Sequence, residues 1–349
     1  MASELMIALS ERHEVGALSL YRLPGSSLET RLRQAGVSLW HLGKGDGFDP
    51  RVFFGVDRIV RDFRPDVVHT HLYVLRYALP ALLRRPVPLA LHTVHNQAEH
   101  EADSLNRILQ RWAFRRRVIP VAISNQIALS VERLYGMPCK AIIPNCIPVE
   151  RYGGAPAEGI RWREEEGFSR DFVLLASVGR LTAQKDPLTL VQAFAAVSNP
   201  KAHLVVLGEG PLTPAVVELV RSLKLESRVH LLGKRDDVAR CLAGSDLFVM
   251  ASRYEGNPLA VMEAMASGLP VVGTAVGGVP DLVDSGTHGI LVPAGEPAAL
   301  GRAMELLCSN PETRQSMGAA ARERAIREFS LEQMVEAYDA LYRTAPAGQ

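Results

Sequence analysis

RYEGNPLAVMEAMASGLPVV, residues 253–272, combines a polar loop, a helix start and a short apolar run. Asn257 is a residue type that caps helices and Pro258 suits a first helical position, so the pattern predicts a helix from residue 258 to about 267. Gly268 is expected to end it. Val271 and Val272 then read as a short buried strand.

Two glutamates flank this predicted helix start. Glu255 falls in the loop before the helix, and Glu263 falls on its second turn. A helix N-terminus attracts anions, because its first backbone N–H groups lack partners and the helix dipole is positive there. Two carboxylates nearby would oppose an anion unless they bind something else. Sugar hydroxyls are the natural candidates.

Short apolar runs alternate with helix-length segments along the whole chain, which is typical of parallel sheets covered by helices. In the second half the predicted strands are 173–178, 204–207, 229–232, 247–250, 271–273 and 290–292. In the first half they are 15–20, 37–42, 67–69, 89–93, 118–123 and 141–143.

This alternation predicts an α/β protein with two Rossmann-like, doubly wound domains that face a cleft. The expected domains are residues 1–150 and 171–328. Residues 151–170, rich in glycine, proline and charge, are expected to be a linker. Residues 329–349 are expected to form a C-terminal helix that packs back on the first domain.

Composition places the chain among ordinary globular proteins. It has 349 residues, of which 47% are hydrophobic and 22% are charged. No apolar run approaches the ~18 residues of a membrane span, and the N-terminus does not resemble a signal peptide, so we expect a cytoplasmic protein. Residues 1–150 hold 19 Lys and Arg against 14 Asp and Glu, a surplus of five positive charges that is too small to indicate nucleic-acid binding.

A second motif, SVGRLTAQKDPLTL at residues 177–190, follows the first predicted strand of the second domain. Asp186 and Pro187 are expected to begin the next helix as cap and first residue. Arg180 and Lys185 lie in the preceding loop, where two cations could clamp a diphosphate. The sequence contains neither a P-loop nor an Asp-x-Asp pair, so we expect a site without a metal. LGEGP, residues 207–211, is a glycine turn that lacks a dinucleotide fingerprint.

Taken together, four stretches resemble the nucleotide-sugar half of glycosyltransferase family 4, whose members have the GT-B fold. They are VGRLTAQKD, LVVLGEGP, VHLLGKRDDVARCLAGSDLFVMAS and RYEGNPLAVMEAMASGLPVVGTAVGGVPDLV. The spacing Glu-x7-Glu followed by Ala-Met-Ala-x-Gly is specific. RPDVVHTH, HTVHN and IIPNCIP resemble less specific landmarks of the first domain, with Cys146 where glycine is usual.

The resemblance implies a donor site in the second domain. Glu263 matches the glutamate that binds the ribose hydroxyls, and Glu255 matches the one near hydroxyls of the transferred sugar. The donor would also meet the backbone at the helix start, through Gly256, Asn257, Pro258 and Leu259.

The resemblance also implies a catalytic set. Arg180 and Lys185 match the pair that stabilises the departing diphosphate. His95 matches the active-site histidine that faces the donor sugar. Because the family retains the anomeric configuration, Glu255 is not expected to be a nucleophile.

The function implied is a retaining, metal-independent glycosyltransferase with a UDP- or GDP-sugar donor and no cofactor. Its acceptor would be a glycan, a lipid-linked molecule or a small molecule, as in polysaccharide biosynthesis. One alternative is a nucleotide-sugar 2-epimerase with the same fold. Another is a donor-binding protein without turnover, since the first strand and glycine-rich loop of the family have no counterpart before ASELMIALSERHEV.

The basic, aromatic run RILQRWAFRRR at residues 107–117 allows two interpretations. In the favoured one, Ile108, Trp112 and Phe114 cover the sheet, while the arginines at 115–117 lie at a helix C-terminus, where cations are stabilised. In the other, the run touches a membrane surface. We expect at most a weak peripheral contact, at the inner membrane face.

Overall fold

The computed structural model describes residues 2–22, 25–45, 47–85, 87–101, 103–153 and 156–345. The chain divides into two compact units, each built on parallel sheet and helices. The first unit is Met1–Asn145 with Leu331–Gln349, and the second is Cys146–Ser330. The cleft expected between two domains remains a prediction.

The second unit contains one sheet of six parallel strands, all of which the sequence predicts. Their bounds are β7 Val173–Val178, β8 Ala202–Leu207, β9 Val229–Gly233, β10 Leu247–Met250, β11 Val271–Thr274 and β12 Gly289–Val292. In the sheet they lie in the order β12-β11-β10-β7-β8-β9. Every residue of β8, β10 and β11 is buried, as expected for strands covered by helices on both faces.

Nine helices of the described residues belong to this unit. They are α8 Val149–Tyr152, α9 Pro156–Glu165, α10 Pro187–Ala195, α11 Thr213–Ser222, α12 Val238–Ala243, α13 Leu259–Ala266, α14 Val279–Leu282, α15 Pro297–Ser309 and α16 Pro311–Glu328.

The segment 151–170, predicted as a linker, is instead part of the second unit. Its helix α9 packs on α12, and Trp162 of α9 is fully buried. The approach is close: a Cβ on Gly159 would lie 2.1 Å from the carbonyl oxygen of Ala243. The prediction failed because Gly159 serves helix packing rather than flexibility. Residues 154 and 155 of the stretch lie outside the described residues.

The first unit also shows the six predicted strands, but they divide between two sheets. Among the described residues, β1 Gly16–Ser19 pairs with β2 Ser38–His41 alone. The other four strands are β3 Val67–His71, β4 Leu89–Val94, β5 Val118–Ala122 and β6 Ala141–Ile142, and they form a parallel sheet in this order. Within the described residues no strand joins β1 to β3.

The helices of the first unit surround these sheets. They are α1 Ala2–Leu9, α2 Ser27–Gln34, α3 Arg51–Phe63, α4 Leu75–Arg84, α5 Ala98–Glu101, α6 Ser104–Phe114, α7 Asn125–Tyr135 and α17 Leu331–Tyr342, with a 3-10 turn at Leu72–Val74. None of the described helices is both long and apolar enough to cross a membrane.

The C-terminal helix α17 lies in the first unit, whereas residues 329 and 330 of the expected segment 329–349 precede the helix and belong to the second unit. It packs on α1, and its Tyr338 hydroxyl lies 2.9 Å from the hydroxyl of Thr93 on β4. The Tyr342 hydroxyl lies 2.7 Å from Nδ1 of His69 on β3. Residues 346–349 lie outside the described part of the chain.

The expected packing of helix α6 is wrong in one respect. Phe114 is buried and Trp112 packs partly against the core, as predicted. Ile108, which was expected to cover the sheet, is instead 66% exposed. Asn106, Gln110 and Ala113 take the buried face of this helix.

Candidate active site

The two predicted motifs of the second unit follow β7 and β10, the neighbouring strands at which the order of strand addition reverses. The chain runs from β7 outward through β8 to β9, then returns to the other side of β7 and continues through β10, β11 and β12. The loops after β7 and β10 therefore diverge at one edge of the sheet. Such a switch point leaves a crevice at the carboxyl ends of the strands, where ligands of α/β proteins bind.

The loop after β7, residues 179–186, is supported by the glycine turn after β8. A Cβ on Gly208 would lie 2.0 Å from the carbonyl oxygen of Gly179, and one on Gly210 would lie 2.4 Å from that of Leu181. The Leu181 N–H also donates to the carbonyl of Glu209. Only glycine permits this close approach of two backbones, so this turn, although it lacks a dinucleotide fingerprint, positions the Arg180 loop.

Asp186 ends this loop and begins α10, as predicted. Its carboxylate accepts the N–H of Thr189 at 3.4 Å, and Pro187 is the first helical residue. The same carboxylate also accepts a hydrogen bond from Nε of Arg253, at 2.8 Å. Asp186 thereby ties the loop after β7 to the loop after β10.

Glu255 is the buried centre of the loop after β10. The residue is only 5% exposed, and its Oε1 accepts hydrogen bonds from Nζ of Lys185 at 2.5 Å and from the hydroxyl of Ser252 at 2.6 Å. The sequence analysis assigned Lys185 and Glu255 to different parts of a ligand. The structure shows that they are also each other's partner, and that Ser252, which the sequence analysis did not single out, completes the group.

A glycine pair after β11 holds the Glu255 loop from the other side. The N–H of Gly278 donates to the carbonyl of Gly256 at 2.9 Å. Gly277 has a φ of +52°, and a Cβ there would lie 1.7 Å from the carbonyl oxygen of Glu255. The two adjacent glycines of TAVGGVP indicate a close backbone approach. Only the fold shows that the backbone they contact is that of Glu255 and Gly256.

The helix after this loop begins one residue later than predicted. Leu259 is its first residue, and Pro258 occupies the cap position without a side-chain hydrogen bond, so Asn257 is not the cap. Pro258 has no N–H and cannot donate to a ligand, which corrects one of the four expected backbone contacts. Leu259 remains at the helix start, where the backbone N–H groups lack the carbonyl acceptors that a preceding helical turn would supply.

Glu263 lies on the second turn of α13, as expected. Its Oε1 accepts the hydroxyl of Tyr152 at 2.8 Å. Burial raises the pKa of Glu263 above 4.5, and the Tyr152 hydrogen bond opposes part of that rise. Tyr152, from the short helix α8, is a site residue for which the sequence offered no recognisable signal.

Arg180 is the exposed cation of the site. It lines a pocket together with Lys185, Ala251 and Ser252. Among the described residues it has no ion-pair partner, in contrast to Lys185. In the same described part of the chain, no three His, Cys, Asp or Glu side chains come together as metal ligands would.

His95 belongs to the first unit, just after β4. Its Nε2 lies 2.9 Å from Nδ1 of His71, and its backbone N–H donates to the carboxylate of Glu101. Burial lowers the pKa of His95 below 6.5, against an opposing effect of Glu101. The imidazole is therefore neutral near pH 7, able to donate through one nitrogen and accept through the other.

Two other histidines of this sheet have hydrogen-bond partners within the first unit. His69 bridges the hydroxyls of Thr93 and Tyr342, each at 2.7 Å. His92 is fully buried, and its Nδ1 lies 2.9 Å from the hydroxyl of Thr70.

Comparison with known proteins matches both units to glycosyltransferase families. Residues 160–324 match the family described as "Glycosyl transferases group 1", and residues 1–151 match "Glycosyltransferase Family 4". The chain is 30% identical to the N-acetyl-alpha-D-glucosaminyl L-malate synthase of Bacillus anthracis, over 79% of this chain and 74% of that protein. It is 26% identical to the UDP-Gal:alpha-D-GlcNAc-diphosphoundecaprenol alpha-1,3-galactosyltransferase of Escherichia coli, over 84% and 79% of the two chains.

Solved structures show the same fold. Anabaena Alr3699/HepE, crystallised in complex with UDP, superposes with a TM-score of 0.84 over 98% of this chain and 95% of that chain, at 21% identity. The sucrose-phosphate synthase of Thermosynechococcus elongatus gives a TM-score of 0.81 at 22% identity, over 97% of this chain and 91% of that one. Fold, family matches and relatives agree: the chain is a glycosyltransferase and belongs to glycosyltransferase family 4.

Proposed function

We propose that the protein transfers a sugar from a UDP-sugar to an acceptor hydroxyl, with retention of the anomeric configuration and without a metal or resident cofactor. The observation that carries this proposal is the arrangement at the β7/β10 switch point. There Lys185, Arg180 and the start of α13 supply positive charge and N–H donors, while Glu255 and Glu263 supply hydrogen-bond acceptors.

The donor is assigned by complementarity of charge. The cations and the helix start suit a diphosphate, because both favour negative charge. Glu263 suits the paired hydroxyls of a ribose, since a carboxylate accepts hydrogen bonds through two oxygens. Two relatives favour uridine over guanosine: the Escherichia coli enzyme is named for UDP-Gal, and the Anabaena structure contains UDP. A GDP-sugar is the second candidate.

Arg180 and Lys185 would stabilise the departing diphosphate. Lys185 donates one N–H to Glu255, and its ammonium carries two more for phosphate oxygens. Arg180 has no ion-pair partner among the described residues and can offer paired donors. Removing one such donor typically costs about 2.7–4 kcal/mol in the transition state, which is 10²–10³ in rate. Two side-chain cations would do the work of a metal at this position.

Glu255 is proposed to bind the sugar and not to attack it. Its carboxylate already accepts hydrogen bonds from an ammonium and a hydroxyl, which fixes its orientation. Without a protein nucleophile, retention requires the acceptor hydroxyl to enter on the face from which the diphosphate leaves. The hydroxyl proton then passes to a phosphate oxygen of the leaving group. His95, as a neutral imidazole, is proposed to hydrogen-bond a hydroxyl of the donor sugar.

The acceptor is proposed to be a glycan, a lipid-linked molecule or a small molecule. The named relatives span this range, with an L-malate derivative for one and a diphosphoundecaprenol-linked sugar for another. The acceptor is therefore to be identified by a substrate screen.

The test is a transfer assay with full-length protein, a panel of UDP- and GDP-sugars and acceptors of the three classes. We expect transfer from a UDP-sugar, an anomeric proton of the same configuration as the donor by NMR, and unchanged rates in EDTA. Arg180→Ala should lower kcat/KM 10²–10³-fold, whereas Arg221→Ala, at an exposed arginine of α11, should not change it. An inverted product, or activity that requires added metal, would refute the mechanism. Tight donor binding without transfer to any acceptor would favour the donor-binding alternative.

A further inference from the structure

Helix α6 exposes an apolar stripe on its outer face. Leu105 is 59% exposed and Ile108 is 66% exposed, and Trp112 is only partly buried on the same side. These residues are spaced i, i+3 and i+7, so they align along one side of the helix. The opposite side, with Asn106, Gln110 and Ala113, already packs in the first unit. Leu105 and Ile108 are therefore left outside the core of this unit, while Trp112 packs partly against it.

The same face is strongly basic. Residues 104–117 contain no acidic residue and five arginines: Arg107, Arg111, Arg115, Arg116 and Arg117. Their net charge of five equals the whole positive surplus of residues 1–150. All of these arginines except Arg107 are exposed. Arg111 and Arg115 are one turn apart beside Ile108, and the guanidinium of Arg116 lies 5.0 Å over the ring of Trp112.

We propose that this face of α6, comprising Leu105, Ile108, Trp112, Arg111, Arg115 and Arg116, docks the enzyme on an anionic lipid bilayer. An interfacial helix inserts apolar side chains between lipids while its cations contact the headgroups. An exposed leucine and isoleucine beside a partly buried tryptophan, among arginines, meet both requirements. The proposal does not depend on the nature of the sugar donor.

A bilayer fits this face better than other polyanions. A nucleic acid would be satisfied by the arginines alone and would leave Leu105 and Ile108 in water. Within α6 the apolar stripe and the cations lie on the same side, and the nearest acid, Asp103, caps the start of the helix and pairs with Arg76. The helix thus presents charge and apolar surface on one side. A lipid bilayer can bind both, whereas a phosphate backbone binds only the charge.

The test is co-sedimentation of the full chain with vesicles of phosphatidylcholine containing 30% phosphatidylglycerol, against vesicles of phosphatidylcholine alone. We expect binding only to the anionic vesicles, weakened by salt. Arg111→Gln with Arg115→Gln should weaken it roughly five- to 25-fold, since each surface cation contributes about fivefold. Leu105→Ser with Ile108→Ser should weaken it roughly tenfold or more and should reduce the part that resists salt.

Matched controls come from the second unit. Leu306→Ser with Ile326→Ser removes two residues of similar exposure, and Arg161→Gln with Arg221→Gln removes two exposed arginines. Neither pair should change vesicle binding. Because all substitutions are on exposed positions, circular dichroism should show the same fold for every variant.

Three results would overturn the proposal. The chain could fail to bind anionic vesicles, or bind them equally after the α6 substitutions. The serine pair could also leave binding unchanged while the glutamine pair abolishes it, and duplex DNA could compete fully. That pattern would identify a general polyanion surface instead of a membrane-docking one.

Discussion

Replacing Gly277 by alanine should displace the loop that carries Glu255. The added Cβ would lie 1.7 Å from the carbonyl oxygen of Glu255, whereas ordinary contact begins at 3.4 Å, so one backbone must move by about 1.7 Å. The φ of +52° adds a conformational cost of about 1–2 kcal/mol for a residue with a Cβ. A displacement of this size at a reacting centre typically costs on the order of 10²-fold in rate.

The assay compares UDP affinity by calorimetry and kcat/KM for transfer in the wild type, Gly277→Ala and Gly295→Ala. Gly295 is the matched control, because its φ is +77° but a Cβ there has no atom within 4 Å. Gly295→Ala should lose about 1–2 kcal/mol in the free energy of unfolding, and Gly277→Ala should lose at least as much because its Cβ also clashes with the backbone. Only Gly277→Ala should lower kcat/KM by roughly 100-fold.

The reasoning would be refuted if Gly277→Ala retained the kcat/KM of Gly295→Ala while both remained folded. The loop after β10 would then tolerate displacement, and the backbone contact between Gly277 and Glu255 would not position the site.

Three further outcomes are expected from the same structure. In a double-mutant cycle of Lys185→Ala and Glu255→Gln, measured by urea unfolding, the coupling energy should be about 1.5–3 kcal/mol, since a buried carboxylate loses a charged partner. Because burial raises the pKa of Glu263, UDP affinity should begin to fall on acidification at a higher pH than for an ordinary glutamate, and Tyr152→Phe should move this fall to still higher pH by removing the hydrogen bond that lowers the pKa. Burial lowers the pKa of His203 to about 4, so the folded state binds fewer protons than the unfolded state and stability should decline as the pH falls from 6.5 to about 4, a decline that His203→Phe should reduce.

Each of these outcomes has a control or a contrary result. The exposed pair Arg221 and Glu218 should show a coupling below about 1 kcal/mol in the same cycle, and equal coupling in both pairs would contradict the burial argument. If the pH profiles of UDP affinity for the wild type and Tyr152→Phe coincided, Glu263 would not belong to the donor site. An unchanged acid profile in His203→Phe would assign the loss of stability to other groups.

Local rules predicted the strands and the start of α10 correctly. Parallel strands buried on both faces are continuous apolar runs, which can be recognised without tertiary information. Asp186 followed by Pro187 satisfies a helix start through bonds within three residues, and the structure confirms it. The family resemblance also predicts Glu255 and Glu263 as site residues, and this stays a prediction.

The errors and omissions depend on contacts between residues distant in sequence. Trp162 is buried against α12, so a stretch that looked like a linker is packed. Lys185 and Glu255 are 70 residues apart and pair only because β7 and β10 are neighbours in the sheet. Ile108 was placed on the wrong side of α6, because periodicity shows that a helix has an apolar stripe without showing what that stripe faces.

Calorimetric titration of UDP into the full chain and into Glu263→Ala tests most directly the claim that the switch point of the second unit is the donor site. UDP should bind the wild type, and the substitution should weaken binding by about 1.5–3 kcal/mol, or roughly tenfold to 150-fold, as for a lost hydrogen bond to a charged group. GDP and ADP should bind more weakly than UDP. Equal affinity of UDP for the two folded proteins, or no binding to either, would contradict the assignment of the donor to this site.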